Sequence, residues 1–151
     1  MDKLLAKKLF LEGYNCAQAV AVAFADDCGL EADVMKKAAI AFGGGFAHTH
    51  QLCGALTGAA IAAGLLVAGT HANAKIEFYE KMQAVAKKFE ETYGSMICKN
   101  LLDEKNFLQK RDLSFATQEE YAARPCLVLV SGAIDLCKDF ALNNGVKLKN
   151  C

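Results

Sequence analysis

From Cys53 to Gly69 the chain runs for 17 residues without a charge, and most of its side chains are small. Cys53-Gly54-Ala55-Leu56-Thr57-Gly58 opens the run, and alanines, leucines and further glycines complete it. Such a segment has to leave water, either in a bilayer or at the centre of a protein. With Thr57 and four glycines it falls short of the ~20 apolar residues a membrane span needs. The expectation is therefore a buried central helix over 53–68 and no membrane insertion. Gly54, Gly58 and Ala62, like Ala55 and Ala59, recur at i, i+4. Residues this small let neighbouring helices come close.

The flanking segments read as helices. Residues 2–12 carry Leu4, Leu5, Leu9 and Leu11 among lysines and end at Gly13. Asn15 is a good N-cap for a helix from Cys16 to about Asp27, whose Cys16, Ala19, Val20, Ala23 and Phe24 form one apolar face. A third helix, about Glu31 to Phe42, starts acidic as the macrodipole prefers and stops at Gly43-Gly44-Gly45. Thr49 or His50 is the expected start of the helix that continues through the central run. A helix over Ala74–Thr92 follows, with Tyr79, Met82, Ala86, Phe89 and Tyr93 as its core stripe. Gly94-Ser95 ends it, and Ser95 caps a segment carrying Cys98. Residues 103–116 are expected to be a loop. Thr117-Gln118-Glu119-Glu120 resembles a capping box. Pro125 suits a first helical turn, and although 127–130 has strand composition, the pattern beyond it favours a helix to about Asn143. The Asn-, Gly- and Lys-rich tail to Cys151 is expected to fray.

These elements amount to an all-α, single-domain bundle of about six helices over 1–151, packed around 53–68. The chain is 54% hydrophobic, enough for one core, and neither a linker nor a repeat divides it. Lys and Arg number 17, as do Asp and Glu, so no basic footprint for nucleic acid exists. The N-terminal stretch alternates charge with apolar residues and lacks a signal-peptide core. Seven cysteines without an export signal fit a reducing, cytoplasmic setting rather than a disulfide framework.

Four of the cysteines share a local context. Cys16 follows Asn15, Cys53 follows the His48-Thr49-His50 turn, Cys98 stands three after Ser95, and Cys126 follows Pro125. Each is expected in or near a helix's first turn, where unpaired N–H groups favour a thiolate and lower its pKa. Cys28 closes a helix, Cys151 lies in the tail, and Cys137 is some 16 Å along a helix from Cys126. These three read as buried or incidental thiols. No C-x-x-C pair is present, which excludes the thioredoxin, zinc-knuckle and c-type haem motifs. A site made of Cys16, Cys53, Cys98 and Cys126 suits an iron–sulfur cluster or zinc, or a reversible disulfide. Gly44, Gly45, Gly54 and Gly58 are the candidate positions for close backbone approach to a bound group. His48 and His50 stand near enough to Cys53 in sequence to be a fourth ligand or a proton acceptor, or else simply occupy a polar turn. His71 has no expected role.

Taken together, Asn15-Cys16-Ala17-Gln18-Ala19-Val20, Phe42-Gly43-Gly44-Gly45, the intact Cys53-Gly54-Ala55-x-x-Gly58, Cys98 and Arg124-Pro125-Cys126 resemble the landmarks of the redox-type C_GCAxxG_C_C family. The likeness covers roughly residues 10–140. It implies a small bacterial protein, often associated with transport or anaerobic redox genes. It also implies a relation to the cluster-carrying part of split-Soret cytochromes c, without their haem. The expected function is then redox chemistry at Cys16, Cys53, Cys98 and Cys126, either as cluster ligands or as thiols in exchange with Cys53 as the attacking group. The alternatives are a zinc-binding carrier without catalysis and a helical interaction domain. A separate redox partner is implied, and the small-residue faces allow a homodimer.

Overall fold

The computed structural model describes residues 2–103 and 118–149. Among them the chain is all-α, with a lone antiparallel bridge between Leu52 and Ile97 and no strand. Helix α1 (Lys3–Leu11) starts where the Asp2 carboxylate accepts the N–H of Leu5 at 2.9 Å. It buries Ala6, Leu9 and Phe10, while Leu4 is 81% exposed, so the inner face differs from the leucine set the spacing suggested. Helix α2 (Cys16–Val22) is buried along its whole length. A capping box opens it: Asn15 Oδ1 accepts from Gln18 N at 2.9 Å and Gln18 Oε1 from Asn15 N at 3.1 Å.

The expected single helix from Cys16 to Asp27 is broken. Phe24, at φ −108°, separates α2 from the short α3 (Ala25–Cys28), which Gly29 closes in the left-handed conformation. The break keeps Phe24 fully buried while Asp26 reaches the surface. Helix α4 (Ala32–Ala39) tightens into a 3₁₀ turn over Ile40–Phe42. Gln18 Nε2 donates to Lys36 O at 3.1 Å and Asn15 Nδ2 to Ile40 O at 2.9 Å, which fastens this segment to the start of α2.

The central helix, α5 (Gly54–Val67), packs most extensively against α2 and α9 (Cys126–Asn143). It buries Gly54, Ala55, Leu56, Gly58, Ala59, Ala62 and Ala63, and emerges at Leu65. It starts later than Thr49 or His50. Cys53 N–H donates to Met96 O at 2.8 Å and Cys98 N–H to Gln51 O at 2.6 Å. That pairing holds 51–53 extended and leaves Cys53 as the N-cap. Gly58 fits between the helices because a β-carbon there would sit 2.6 Å from Ala17 O.

Helix α6 (Ala74–Tyr93) buries Phe89 of the expected stripe, but it buries Val85 in place of the expected Ala86, which is half-buried, and Tyr79 is 60% exposed. Phe78 takes its place, edge-on to Phe140 with ring centroids 6.0 Å apart. Two short helices, α7 (Cys98–Asp103) and α8 (Gln118–Ala123), precede α9. The 127–130 segment is helical, and Leu129, Val130, Ala133, Ile134, Cys137, Phe140 and Ala141 form the buried face of α9. The tail is anchored rather than frayed as far as Lys149: Leu148 is buried, and Lys149 N–H donates to Asp27 Oδ1 at 2.6 Å. The loop expected over 103–116 falls outside the described residues apart from Asp103, as do Thr117 and Cys151. No described helix is long and apolar enough to cross a membrane.

Candidate four-cysteine centre

Four separate stretches of chain deliver cysteines to one place. Cys16 is the first residue of α2, Cys53 caps α5, and Cys98 and Cys126 begin α7 and α9. Their side chains line one cavity, whose other walls are Ala55, Leu101, Leu102 and Leu129. The walls could have been found from spacing, since Leu101 and Leu102 stand three and four after Cys98, and Leu129 three after Cys126. On a helix those positions share a face. Cys28 and Cys137 are elsewhere; the Cys137 thiol is directed at Ala59 O, 3.5 Å away.

The local chemistry of each start differs. Ser95 does not cap α7 at long range. Its hydroxyl accepts from Ile97 N at 3.0 Å and from Asn100 Nδ2 at 3.2 Å, and the helix begins directly at Cys98. Pro125 stands just before the first residue of α9, at φ −62°, which its ring imposes without strain.

Glycines let the sulfurs converge. A β-carbon on Gly54 would sit 2.5 Å from Cys16 Sγ, and one on Gly45 2.7 Å from Cys98 Cβ. Gly44 is left-handed, at φ 60°, and its N–H is directed at the Cys16 sulfur. Gly58 meets Ala17 and Val20 of α2 and serves helix approach.

Helix starts alone would lower the thiol pKa values. The structure overturns that expectation, because burial dominates. Cys53 is pushed up to about 12 by burial and then by Cys16, against the N–H groups of Ala55 and Leu56. Cys98 is pushed up to about 11 by burial and Cys16, against the Arg124 cation. Burial raises Cys16 although the N–H groups of Gly44, Cys16, Ala17 and Gly54 oppose it. Cys126 is raised well above the ordinary thiol value by burial and by all three other cysteines. A field confined to a helix's first turn does not offset removal of a thiolate from water. The mutual repulsion nonetheless marks the four as one coupled set.

Two features of the centre lie beyond the sequence reading. His50 turns to Cys98, not Cys53, with Nδ1 3.9 Å from Sγ. Arg124 contributes a positive charge felt at Cys98, Cys126 and His50. Its position two residues before Cys126 was the available signal.

As the side chains stand, the cavity encloses about 10 Å³, about the room one water-sized sphere needs. Among the described residues no group of three His, Cys, Asp or Glu side chains is disposed as a metal's ligand set. The donor chemistry nevertheless fits a thiolate-bound metal centre, since four cysteines line one cavity and backbone N–H groups lower the thiol pKa at Cys16 and Cys53. A single tetrahedral ion asks for rotation of the cysteine side chains. A cluster asks in addition that Leu101, Leu102 and Leu129 give way.

An all-α chain whose helix starts bring four cysteines to one buried apolar cavity is the class that fold and site define. The chain belongs to the family described as "Putative redox-active protein (C_GCAxxG_C_C)", whose model matches residues 14–140. Comparison with curated proteins and with solved structures gives no significant match.

Proposed function

We propose that this chain is an electron-transfer protein whose Cys16, Cys53, Cys98 and Cys126 hold an iron–sulfur cluster as thiolates. The observation that carries this reading is the convergence of four cysteines on one buried cavity with N–H groups directed at their sulfurs. Four unpaired thiolates in such surroundings are too costly, and neutral thiols gain little from those donors. Metal-bound thiolates use both the enclosure and the donors. The cluster would supply one-electron chemistry. The chain's own groups bind it through sulfur, exclude water with Ala55 and the leucine walls, and offset negative charge with the N–H groups and Arg124. A relation to split-Soret cytochromes c, implied by the sequence resemblance, would fit the same choice; free cysteines among the described residues fit a reducing, cytoplasmic setting, and a separate redox partner belongs to the same reading.

Thiol–disulfide exchange is the second reading, favoured by Cys53 and Cys98 lining the same cavity. It asks for an accessible thiolate, which thiols at about 11 and 12 do not provide near neutral pH. Anaerobic purification with iron, sulfide and zinc analysis separates the readings. The expected result is visible absorption with stoichiometric iron and acid-labile sulfide, lost in each single Cys→Ser variant of the four and kept in Cys28→Ser and Cys137→Ser. A colourless, metal-free protein with a reversible disulfide abolished in Cys53→Ala would establish exchange, and stoichiometric zinc without sulfide a non-catalytic carrier.

A further inference from the structure

The turn that leads into Cys53 is wound left-handed. Gly44, Gly45, Phe46, Ala47 and His48 have φ of 60°, 67°, 65°, 46° and 61°, and His50 has 60°. Four of these positions carry a β-carbon, which this conformation presses toward the following carbonyl oxygen. Glycine avoids that strain, yet it is used only at the first two. Strain of this kind persists where the surrounding structure over-determines it. Here the backbone is held on both sides: His50 N–H donates to Gly44 O at 3.0 Å, and His50 O accepts from Lys99 N at 3.0 Å. The next link, Cys98 N–H to Gln51 O, ties the same stretch to Cys98. The result is the imidazole of His50 against the Cys98 sulfur, at 3.9 Å, with the His48 ring edge-on behind it at 4.5 Å between centroids.

We propose that His50 is a positioning residue for the four-cysteine centre, its Nδ1–H donating to the Cys98 sulfur and thereby raising the reduction potential of the bound cluster. The claim on potential rests on the iron–sulfur reading above. A cluster held there would gain negative charge at its ligating sulfurs on one-electron reduction by an external donor, and a hydrogen bond to sulfur would stabilise that more negative state. The proton stays on Nδ1 throughout. A histidine in the left-handed region is thus retained where a glycine would be less strained, because the glycine carries no donor.

Three variants test this: H50G removes the donor, H50Q replaces it with an amide N–H, and A47G loosens the same turn without touching Cys98. Two readouts are taken. The first is the midpoint potential of the anaerobically purified protein, titrated with dithionite. The second is the rate at which iodoacetamide labels Cys98 in metal-free protein at one fixed pH, read by peptide mass. The expected result for H50G is a lower potential and several-fold slower labelling, with H50Q between it and the unaltered chain and A47G unchanged in both. An unchanged potential in H50G, labelling as fast or faster, or an equal shift in A47G overturns the proposal. An unaltered protein free of iron and sulfide overturns the cluster reading and the claim on potential with it. The hydrogen bond to Cys98 then stands or falls on the labelling rates alone.

Discussion

Gly54 and Gly58 lie one helical turn apart and look alike in the sequence, yet their missing β-carbons protect different things. At Gly54 a methyl would press on Cys16 Sγ at 2.5 Å and on Phe42 O at 2.9 Å. At Gly58 it would press on the α2 backbone at Ala17, and no cysteine is among its nearest atoms. Overpacking of this kind costs about 1–3 kcal/mol, so Gly54→Ala and Gly58→Ala should both unfold at lower urea concentration. Under the proposed iron–sulfur reading only Gly54→Ala should also lower the iron bound per folded molecule, because it displaces the Cys16 sulfur. Equal iron in the two variants would reduce Gly54 to a packing position. Spacing marks both glycines as sites of close approach but does not say what approaches, since that depends on which helix crosses at which turn.

Among the elements, the start of α2 shows how much a local signal can settle. Asn15 closes a reciprocal cap with Gln18 and also holds Ile40 O, so one side chain fixes a helix start and its distance from the 3₁₀ turn. Asn15→Ala should cost about 1 kcal/mol for the cap and about 1 kcal/mol more for the lost cross-element hydrogen bond. Denaturant unfolding checks this, and a loss below about 0.5 kcal/mol would mean that water replaces the side chain. The cap was legible because it involves residues three apart. The start of α5 was not. Thr49 and His50 have the composition of a helix beginning, but chain from 96–99 pairs with 50–53, and with His50 left-handed and 51–53 extended no helix starts before Gly54. The stripe of α6 slipped by one residue for a related reason: Phe78 and Tyr79 both fit the apolar period, and Phe140 of α9 selects Phe78.

For the whole molecule, the buried thiols make stability depend on pH. In the folded, metal-free chain Cys53 and Cys137 are pushed up to about 12, and Cys28 and Cys98 to about 11, chiefly by burial, from an ordinary value of 9.0. As pH rises past 9.0 the unfolded chain loses these protons first, so unfolding is favoured progressively. Their contribution is complete below 9.0 and is lost as pH climbs through about 11 to about 12. The urea midpoint of metal-free protein should therefore fall across that alkaline range, with a shallower slope in Cys53→Ala. A midpoint that does not respond would show that the thiols are not buried as neutral groups.

The sequence by itself determined the all-α class, the buried small-residue helix and the set of four cysteines at helix starts. Each of these is written in periodicity or in residues a few positions apart, and so is the motif that places the chain in its family. Only the tertiary structure decided that burial, rather than the helix dipole, sets the thiol chemistry, because desolvation depends on what surrounds a group and not on its neighbours in the chain. It also decided that His50, three residues from Cys53, turns instead to Cys98, 48 positions away. The left-handed turn and the bridge at Leu52 and Ile97 bring that pair together, and beyond the glycines that open the turn they leave no pattern in the sequence.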